Sequence, residues 1–91
     1  MTPIVMSDVI ALARALRAAP MVQRKALIAT IFSEACRGKA FAKEHGKTHP
    51  AHGNGSVMAA SAGHPQVAEP WLNDREYCLC LRDIFEVLAE R

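Results

Sequence analysis

Long apolar runs and aromatic side chains are both scarce in this sequence. No stretch approaches the roughly 20 consecutive apolar residues that a membrane-spanning helix needs. The first twelve residues hold one acidic residue, Asp8, and no basic one, which is not the pattern of a signal peptide. Aromatic residues amount to 5% of the chain, with a single tryptophan. The sequence therefore predicts neither a membrane-spanning protein nor an exported one.

Cysteine is present, but in a number that does not fit a disulfide framework. The three cysteines, Cys36, Cys78 and Cys80, cannot all pair within one chain. Free thiols are typical of a reducing compartment, so we expect a cytoplasmic protein. Cys78 and Cys80 are two residues apart in a predicted helix, where neighbouring side chains diverge. We interpret them as core packing and not as a redox pair.

The chain does have enough apolar material for a core. Of its 91 residues, 51% are hydrophobic and 22% are charged, which argues against general disorder. A chain of this length forms one domain, residues 1–91. Because the core of so short a chain is small, self-association would be a common way to add stability.

Charge is unevenly distributed along the chain. Residues 1–47 hold eight Lys or Arg and three Asp or Glu, residues 69–91 hold three and six, and residues 48–68 hold none. The basic half would attract an acidic partner, and weak nucleic-acid binding is our third hypothesis. We rank it low because the second helix lacks base-reading polar residues on one face and no aromatic platform is visible.

Two helices are predicted in the first half. Val5, Val9, Leu12 and Leu16 form one apolar stripe in a helix over about residues 3–18, with Thr2 or Ser7 as its N-cap. A second helix is predicted over residues 21–37, with Gly38 as its C-terminal stop. It would turn Arg24, Lys25 and Glu34 outward, and a short continuation over Lys39–His45 would use Phe41 as its anchor.

The clearest helix is the last, predicted over residues 73–90. Asn73 would cap it, and Tyr77, Leu81, Ile84, Phe85 and Leu88 repeat on one face. Leu79 falls opposite that face and is predicted to be exposed. Together the three helices indicate an all-α fold, a small orthogonal or up-down bundle of three helices, or up to four with short ones counted.

A long loop (residues 45–70) separates the second helix from the last. Glycine and proline interrupt it too often for a strand or a long helix. A short helical turn is predicted over residues 57–62, after Ser56, with Val57 and Met58 as anchors. Trp71 and Leu72 would then staple the loop exit onto the bundle. Loops of this length are usually functional or disordered, so this one is the first place to look for a site.

All four histidines lie in the loop. Zinc needs three or four N or S ligands, and His49 and His52 with His45 or His64, and Cys36 as a further thiol, would supply them. The spacing matches no zinc module, so a zinc-binding protein is our alternative hypothesis and loop histidines that bond local backbone are the preferred interpretation. We expect no cofactor.

Gly53, Asn54, Gly55 and Ser56 form a glycine-rich turn before the short helical turn. Such turns can aim backbone N–H groups at a phosphate. The lysine and the preceding strand of a phosphate-binding loop are absent, so we interpret the segment as a turn with an N-cap serine. No nucleophile motif or paired-carboxylate arrangement is visible either, and we do not expect an enzyme.

Four parts of the sequence form a recognisable combination: His49-Pro50, Gly53 to Ala60, Glu69 to Leu72, and Asp74 with Tyr77. Together they resemble a group of short uncharacterised proteins from α-proteobacteria. The resemblance spans most of the chain, and it implies a bacterial cytoplasmic protein but no particular function. In that group a bulky apolar residue is usual where this chain has Ala51 or His52.

The leading hypothesis is a non-catalytic helical module that binds another protein or a second copy of itself. It rests on the missing catalytic pattern, the small core and the divided charge. The candidate contact residues are Leu79, Gly53, Asn54, Ser56, Met58 and Trp71.

Overall fold

The computed structural model describes all residues from 1 to 91 and contains helices and turns but no strand. The all-α class predicted from the sequence is confirmed. In chain order the elements are α1 (Met6–Ala18), a single 3-10 turn (Met21–Gln23), α2 (Arg24–His45), α3 (Val57–Ser61) and α4 (Arg75–Ala89).

Helix α1 begins later than the sequence predicted. Its N-cap is Val5, whose backbone N–H donates to Oδ2 of Asp8 at 2.9 Å. Neither predicted cap acts there. Thr2 instead donates its backbone N–H to the carbonyl of Gly55 at 2.9 Å. The first residues of the chain therefore lie along the loop and do not extend α1.

Helix α2 runs past the glycine that was predicted to stop it. Gly38 is a buried residue within the helix, and a Cβ atom there would lie 2.7 Å from the carbonyl oxygens of both His52 and Gly53. The helix ends at Gly46, whose φ of 67° is the left-handed conformation that glycine adopts readily. The continuation over Lys39–His45 is confirmed. Gly38 marks a close approach of the loop and not a helix end.

The core surrounds α1, which packs against each of the other three helices. Small residues on α1, such as Ala13 and Ala15, allow this close packing because they add little side-chain bulk between the helices. Arg17 near the end of α1 pairs with Asp74 at the start of α4, so the C-terminal end of α1 lies beside the N-terminal end of α4. The buried core consists of Val9, Leu12, Ala13, Ala15, Leu16, Ile28, Ile31, Ala35, Val57, Ala60, Tyr77, Cys80 and Ile84.

Helix α4 starts one residue after its true cap, Asp74, which accepts a hydrogen bond from the backbone N–H of Tyr77 at 2.9 Å. The prediction of Asn73 as the cap is wrong by one residue. Tyr77 and Ile84 are buried as the apolar stripe predicted, but Phe85 is 45% exposed. The apolar stripe of α4 is therefore wider than the face that the other helices cover.

The loop packs onto the helices through α3, in the place where the sequence predicted a helical turn. Val57 is 1% exposed and is the anchor that was expected. Met58 is 43% exposed, so its predicted role as an anchor is wrong. The predicted staple is wrong as well, because Trp71 and Leu72 are 85% and 74% exposed. None of the helices has both the length and the apolar character needed to cross a membrane.

Candidate functional site

The loop histidines meet an acidic side chain that the sequence predicted to face solvent. Glu34 on α2 accepts a hydrogen bond from Nε2 of His64 at 2.5 Å, and its other oxygen lies 3.6 Å from Nδ1 of His52. The Glu34 side chain is only 18% exposed. The outward prediction for Glu34 is therefore wrong, since the loop folds back over this position.

The other two loop histidines, His45 and His49, lie near Phe41 on α2. We call the four loop histidines the histidine row. The ring of His49 stacks on His52 at 4.5 Å between centroids and meets Phe41 edge-on at 4.7 Å. Nδ1 of His49 accepts the backbone N–H groups of Ala51 and His52 at 2.9 and 3.0 Å. The ring of His45 also lies near Phe41, at 4.4 Å between centroids.

This histidine row fastens the loop to α2. Nowhere in the chain do three or more His, Cys, Asp or Glu side chains form a group that could hold a metal ion. One ring nitrogen of each of His49, His52 and His64 has a partner within the chain. Zinc binding thus stays a prediction made from histidine count, and the geometry supplies no support for it.

The glycine-rich turn forms its hydrogen bonds within the loop and with α1. Ser56 Oγ accepts from the backbone N–H of Ala59 at 3.0 Å, and Oδ1 of Asn54 accepts from the N–H of Ser56 at 3.3 Å. The N–H of Met58 donates to Asp8. Gly53 has a φ of 75°, and a Cβ there would lie 2.4 Å from Cβ of Ala59. Since these α3 donors are engaged within the chain, the segment acts as the capped turn that we preferred.

Three of the eight basic residues of the first half have internal partners. Arg14 Nε donates to the carbonyl of Val67 at 2.7 Å. Arg24 was predicted to face outward, yet it is 5% exposed and Nε donates to the carbonyls of Leu16 and Ala19. The other five are exposed and form no ion pair, which leaves a solvated basic face on α2 and just beyond it: Lys25, Arg37, Lys39, Lys43 and Lys47.

The cysteines occupy three different environments. Cys80 is buried in the core, and burial raises the pKa of its thiol. Cys78 is half-buried and donates its S–H to the carbonyl of Leu72 at 3.0 Å. Cys36 is exposed, with Sγ 3.5 Å from the N-terminal amino group of Met1. Core packing thus describes Cys80, while Cys78 fixes the turn before α4.

The predicted contact residues are spread over the molecule. Leu79 is half-buried and not fully exposed. Met58 lines a cavity of about 270 Å³ between α1 and the loop, together with Ile10 and Glu69. Trp71 lies elsewhere, in the turn before α4. No single surface therefore unites the residues that the sequence singled out.

Four large apolar side chains are exposed on the two turns that meet at one end of the α1–α4 pair. Met21 and Val22, after the α1–α2 turn, are 63% and 91% exposed, and Trp71 and Leu72 precede α4. We call these four residues the apolar end. The sequence interpretation did not single out Met21 and Val22, because they follow Pro20 and were assigned to the first turn of the second helix.

An ion-pair network joins the two turns. Glu76 accepts from Arg24 Nη2 at 3.3 Å and lies 3.5 Å from Nη2 of Arg17. Nε of Arg17 lies 3.4 Å from Asp74. The pKa of Asp74 is lowered, first by the hydrogen bond from the Tyr77 backbone and also by the charge of Arg17. Arg24 and Asp74 each follow an apolar pair by two residues, so the network holds both pairs at the same end.

Local hydrogen bonds also hold the turn that carries Trp71 and Leu72. The N–H of Asp74 donates to the carbonyl of Trp71 at 3.0 Å, and the thiol of Cys78 donates to the carbonyl of Leu72. Two exposed apolar side chains are thus presented on a fixed backbone.

Comparison with known proteins returns one family. The model of a family described as a domain of unknown function, DUF7742, matches residues 2–88. This agrees with the resemblance to uncharacterised proteins. No curated protein and no solved structure matches the chain.

Proposed function

Since the chain belongs to the DUF7742 family, whose function is unknown, its own surface is the guide to its role, and we propose that it is a non-catalytic helical module that binds a protein through the apolar end. The observation that carries this proposal is the exposure of Met21, Val22, Trp71 and Leu72 on two turns joined by one ion-pair network.

Single exposed apolar side chains are common on protein surfaces, whereas a group of four at one end of a domain is typical of an interaction site. Solvent contact of such a group costs free energy that a protein partner would recover by covering it. Tryptophan contributes strongly at protein interfaces when a partner surrounds it. Trp71 is 85% exposed, so nearly all of its side chain is free for a partner to cover.

The backbone of the apolar end favours binding further. Hydrogen bonds at Trp71 and Leu72 and the Arg24–Glu76 ion pair already fix both turns. Binding would therefore order few additional groups, which reduces the part of the entropy cost that comes from ordering the interface. The non-catalytic part of the proposal rests on the absence of a nucleophile or paired-carboxylate motif in the sequence.

Site-specific photocrosslinking in the cells that naturally produce the protein tests this proposal. A benzoylphenylalanine residue would replace Val22 or Leu72, with Ala40, exposed on the outer face of α2, as the matched control position. We expect a crosslinked species of one defined mass from positions 22 and 72 and none from position 40. The Trp71→Ser change should abolish it. Equal crosslinking at all three positions, or none, would contradict the proposal.

A further inference from the structure

We propose that the partner of the apolar end is an acidic protein segment, in which aspartate or glutamate residues flank the apolar residues that cover this end. This inference rests on the proposed function, because it names the chemistry of the partner that binds the same surface.

Two positive charges without a partner lie beside the apolar end. Lys25 and Arg75 are both exposed, and neither forms an ion pair within the chain. Lys25 lies three residues after Val22 in continuous helical backbone, so these two side chains lie on the same side. Arg75 is the first residue of α4 and lies three residues after Leu72. Each apolar pair is therefore followed by one free cation.

The other charges of the two turns are paired with one another. They are the two arginines and two carboxylates of the ion-pair network: Arg17, Arg24, Asp74 and Glu76. Their formal charge is zero, so Lys25 and Arg75 give this end a charge of +2. Glu69 lies two residues before Trp71, and counting it as well leaves a charge of +1. The apolar end is therefore positive on either count.

Free cations beside apolar side chains select the sign of the partner's charge. Charged groups at the edge of an interface speed association with an oppositely charged partner and disfavour a like-charged one. A basic partner would meet Lys25 and Arg75 and would find no unpaired carboxylate in the network. An acidic partner gains two ion pairs and still covers the four apolar side chains.

An anionic membrane surface fits these charges less well than a protein does. The side chains of Asp74 and Glu76 are 29% and 45% exposed, in the network that joins the two apolar pairs. A uniformly anionic surface would meet these two carboxylates together with the cations. A protein can instead place its acidic residues opposite Lys25 and Arg75 alone. The distribution of charge therefore favours a protein segment.

Trp71 is the single tryptophan, so its fluorescence reports binding at this end. The probes are three tryptophan-free amphipathic peptides with leucine and phenylalanine on one helical face and glutamate, glutamine or lysine on its flanks. We expect the glutamate peptide to shift the emission of Trp71 to the blue. It should bind about 4- to 25-fold more tightly than the glutamine peptide, since two exposed ion pairs each contribute about two- to fivefold. The lysine peptide should bind most weakly, and the differences should shrink in about 1 M salt, which screens exposed charges beyond about 3 Å.

Variants of the two cations keep the fluorescent reporter intact. We expect Lys25→Gln and Arg75→Gln each to raise the dissociation constant of the glutamate peptide about two- to fivefold and to leave that of the glutamine peptide unchanged. Lys43→Gln is the matched control, because Lys43 is an exposed lysine near the C-terminal end of α2 that forms no ion pair. Circular dichroism of each variant checks that it is folded.

Three results with the peptides would overturn the inference. They are equal binding of the glutamate and glutamine peptides, no emission shift with any peptide, and equal weakening by Lys43→Gln and Lys25→Gln. Two further results would assign the surface to another occupant. A blue shift with phosphatidylglycerol vesicles and with none of the peptides would indicate a lipid surface. A blue shift of the protein alone as its own concentration rises would indicate a second copy.

The photocrosslinking test separates failure of this inference from failure of the proposed function. An adduct at positions 22 and 72 that persists unchanged when Lys25→Gln and Arg75→Gln are combined leaves the docking surface in place and removes the acidic partner. The absence of any adduct contradicts both proposals.

Discussion

The carboxylate of Asp8 accepts a hydrogen bond from the backbone N–H of Met58, 50 residues later in the chain, at 3.0 Å. Its other oxygen accepts the N–H of Val5 at 2.9 Å. One carboxylate thus satisfies backbone donors at the starts of α1 and α3, where donors have no partner within the helix. Asp8 is 5% exposed, so water cannot easily replace it. It joins the first helix to the loop.

We expect Asp8→Asn to lower the free energy of unfolding by about 1–3 kcal/mol. The amide has one acceptor oxygen for two donors, and its NH₂ group would face a backbone N–H. Chemical denaturation measures the change. Asp83→Asn is the control, because Asp83 lies on α4 and forms no ion pair or hydrogen bond. Equal stabilities of the two variants would contradict the role given to Asp8.

Glu34→Gln should loosen the loop. The amide loses the charge that attracts His52 and His64, so we expect a loss of about 1 kcal/mol of stability. Hydrogen exchange should accelerate at the amides of Ala51 and Gly53, which are bonded within the loop. Glu44→Gln on the same helix is the control, since Glu44 is exposed and contacts only His45, at 3.9 Å. Unchanged exchange in Glu34→Gln would refute the docking role of the histidine row.

Gly38→Ala is expected to destabilise the protein, although alanine inside a helix ordinarily stabilises it by about 1 kcal/mol relative to glycine. The new Cβ atom would lie 2.7 Å from two loop carbonyl oxygens, so the loop would have to move away from α2. Thermal unfolding measures the sign. Ser33→Ala, at an exposed position of α2, should have the ordinary small effect. A higher melting temperature for Gly38→Ala would show that the loop does not press on this position.

We predict that Asp74 stabilises the folded protein and that this stabilisation is lost in acid. Its pKa in the folded state lies below the ordinary value of 3.8, chiefly because the carboxylate accepts the N–H of Tyr77 and also because Arg17 is near. The stabilisation is therefore fully present above about pH 5, well above the unfolded pKa of 3.8, and it is lost as the pH falls through the lowered pKa of the folded state.

Asp74→Ser keeps a capping oxygen without the charge. We expect this variant to be less stable than the parent at pH 6 and to lose less stability between pH 5 and pH 2. Urea denaturation across that range gives both quantities. Asp83→Ser at pH 6 controls for removal of a carboxylate from the same helix. Identical pH dependence in the parent and Asp74→Ser would rule out the contribution of this cap.

Local patterns in the sequence were sufficient for the helices. Apolar residues three and four apart predicted α1 and α4, and Ser56 predicted the start of α3. These predictions succeeded because helix formation and capping depend on hydrogen bonds and side chains within a few residues of one another. Helix boundaries were less accurate. Asn and Asp are both common helix caps, and only the structure shows that Asp74 is the residue that accepts the N–H of Tyr77 and pairs with Arg17.

The sequence by itself determined the all-helical class, the three long helices and the short turn in the loop. Tertiary structure alone decided where the loop lies. Gly38 became a point of close approach and Glu34 a partner of His64, 30 residues later, while Trp71 was left exposed. The physical reason is that these outcomes depend on contacts between segments remote in the chain. Periodicity within one helix carries no information about which distant segment will cover its face.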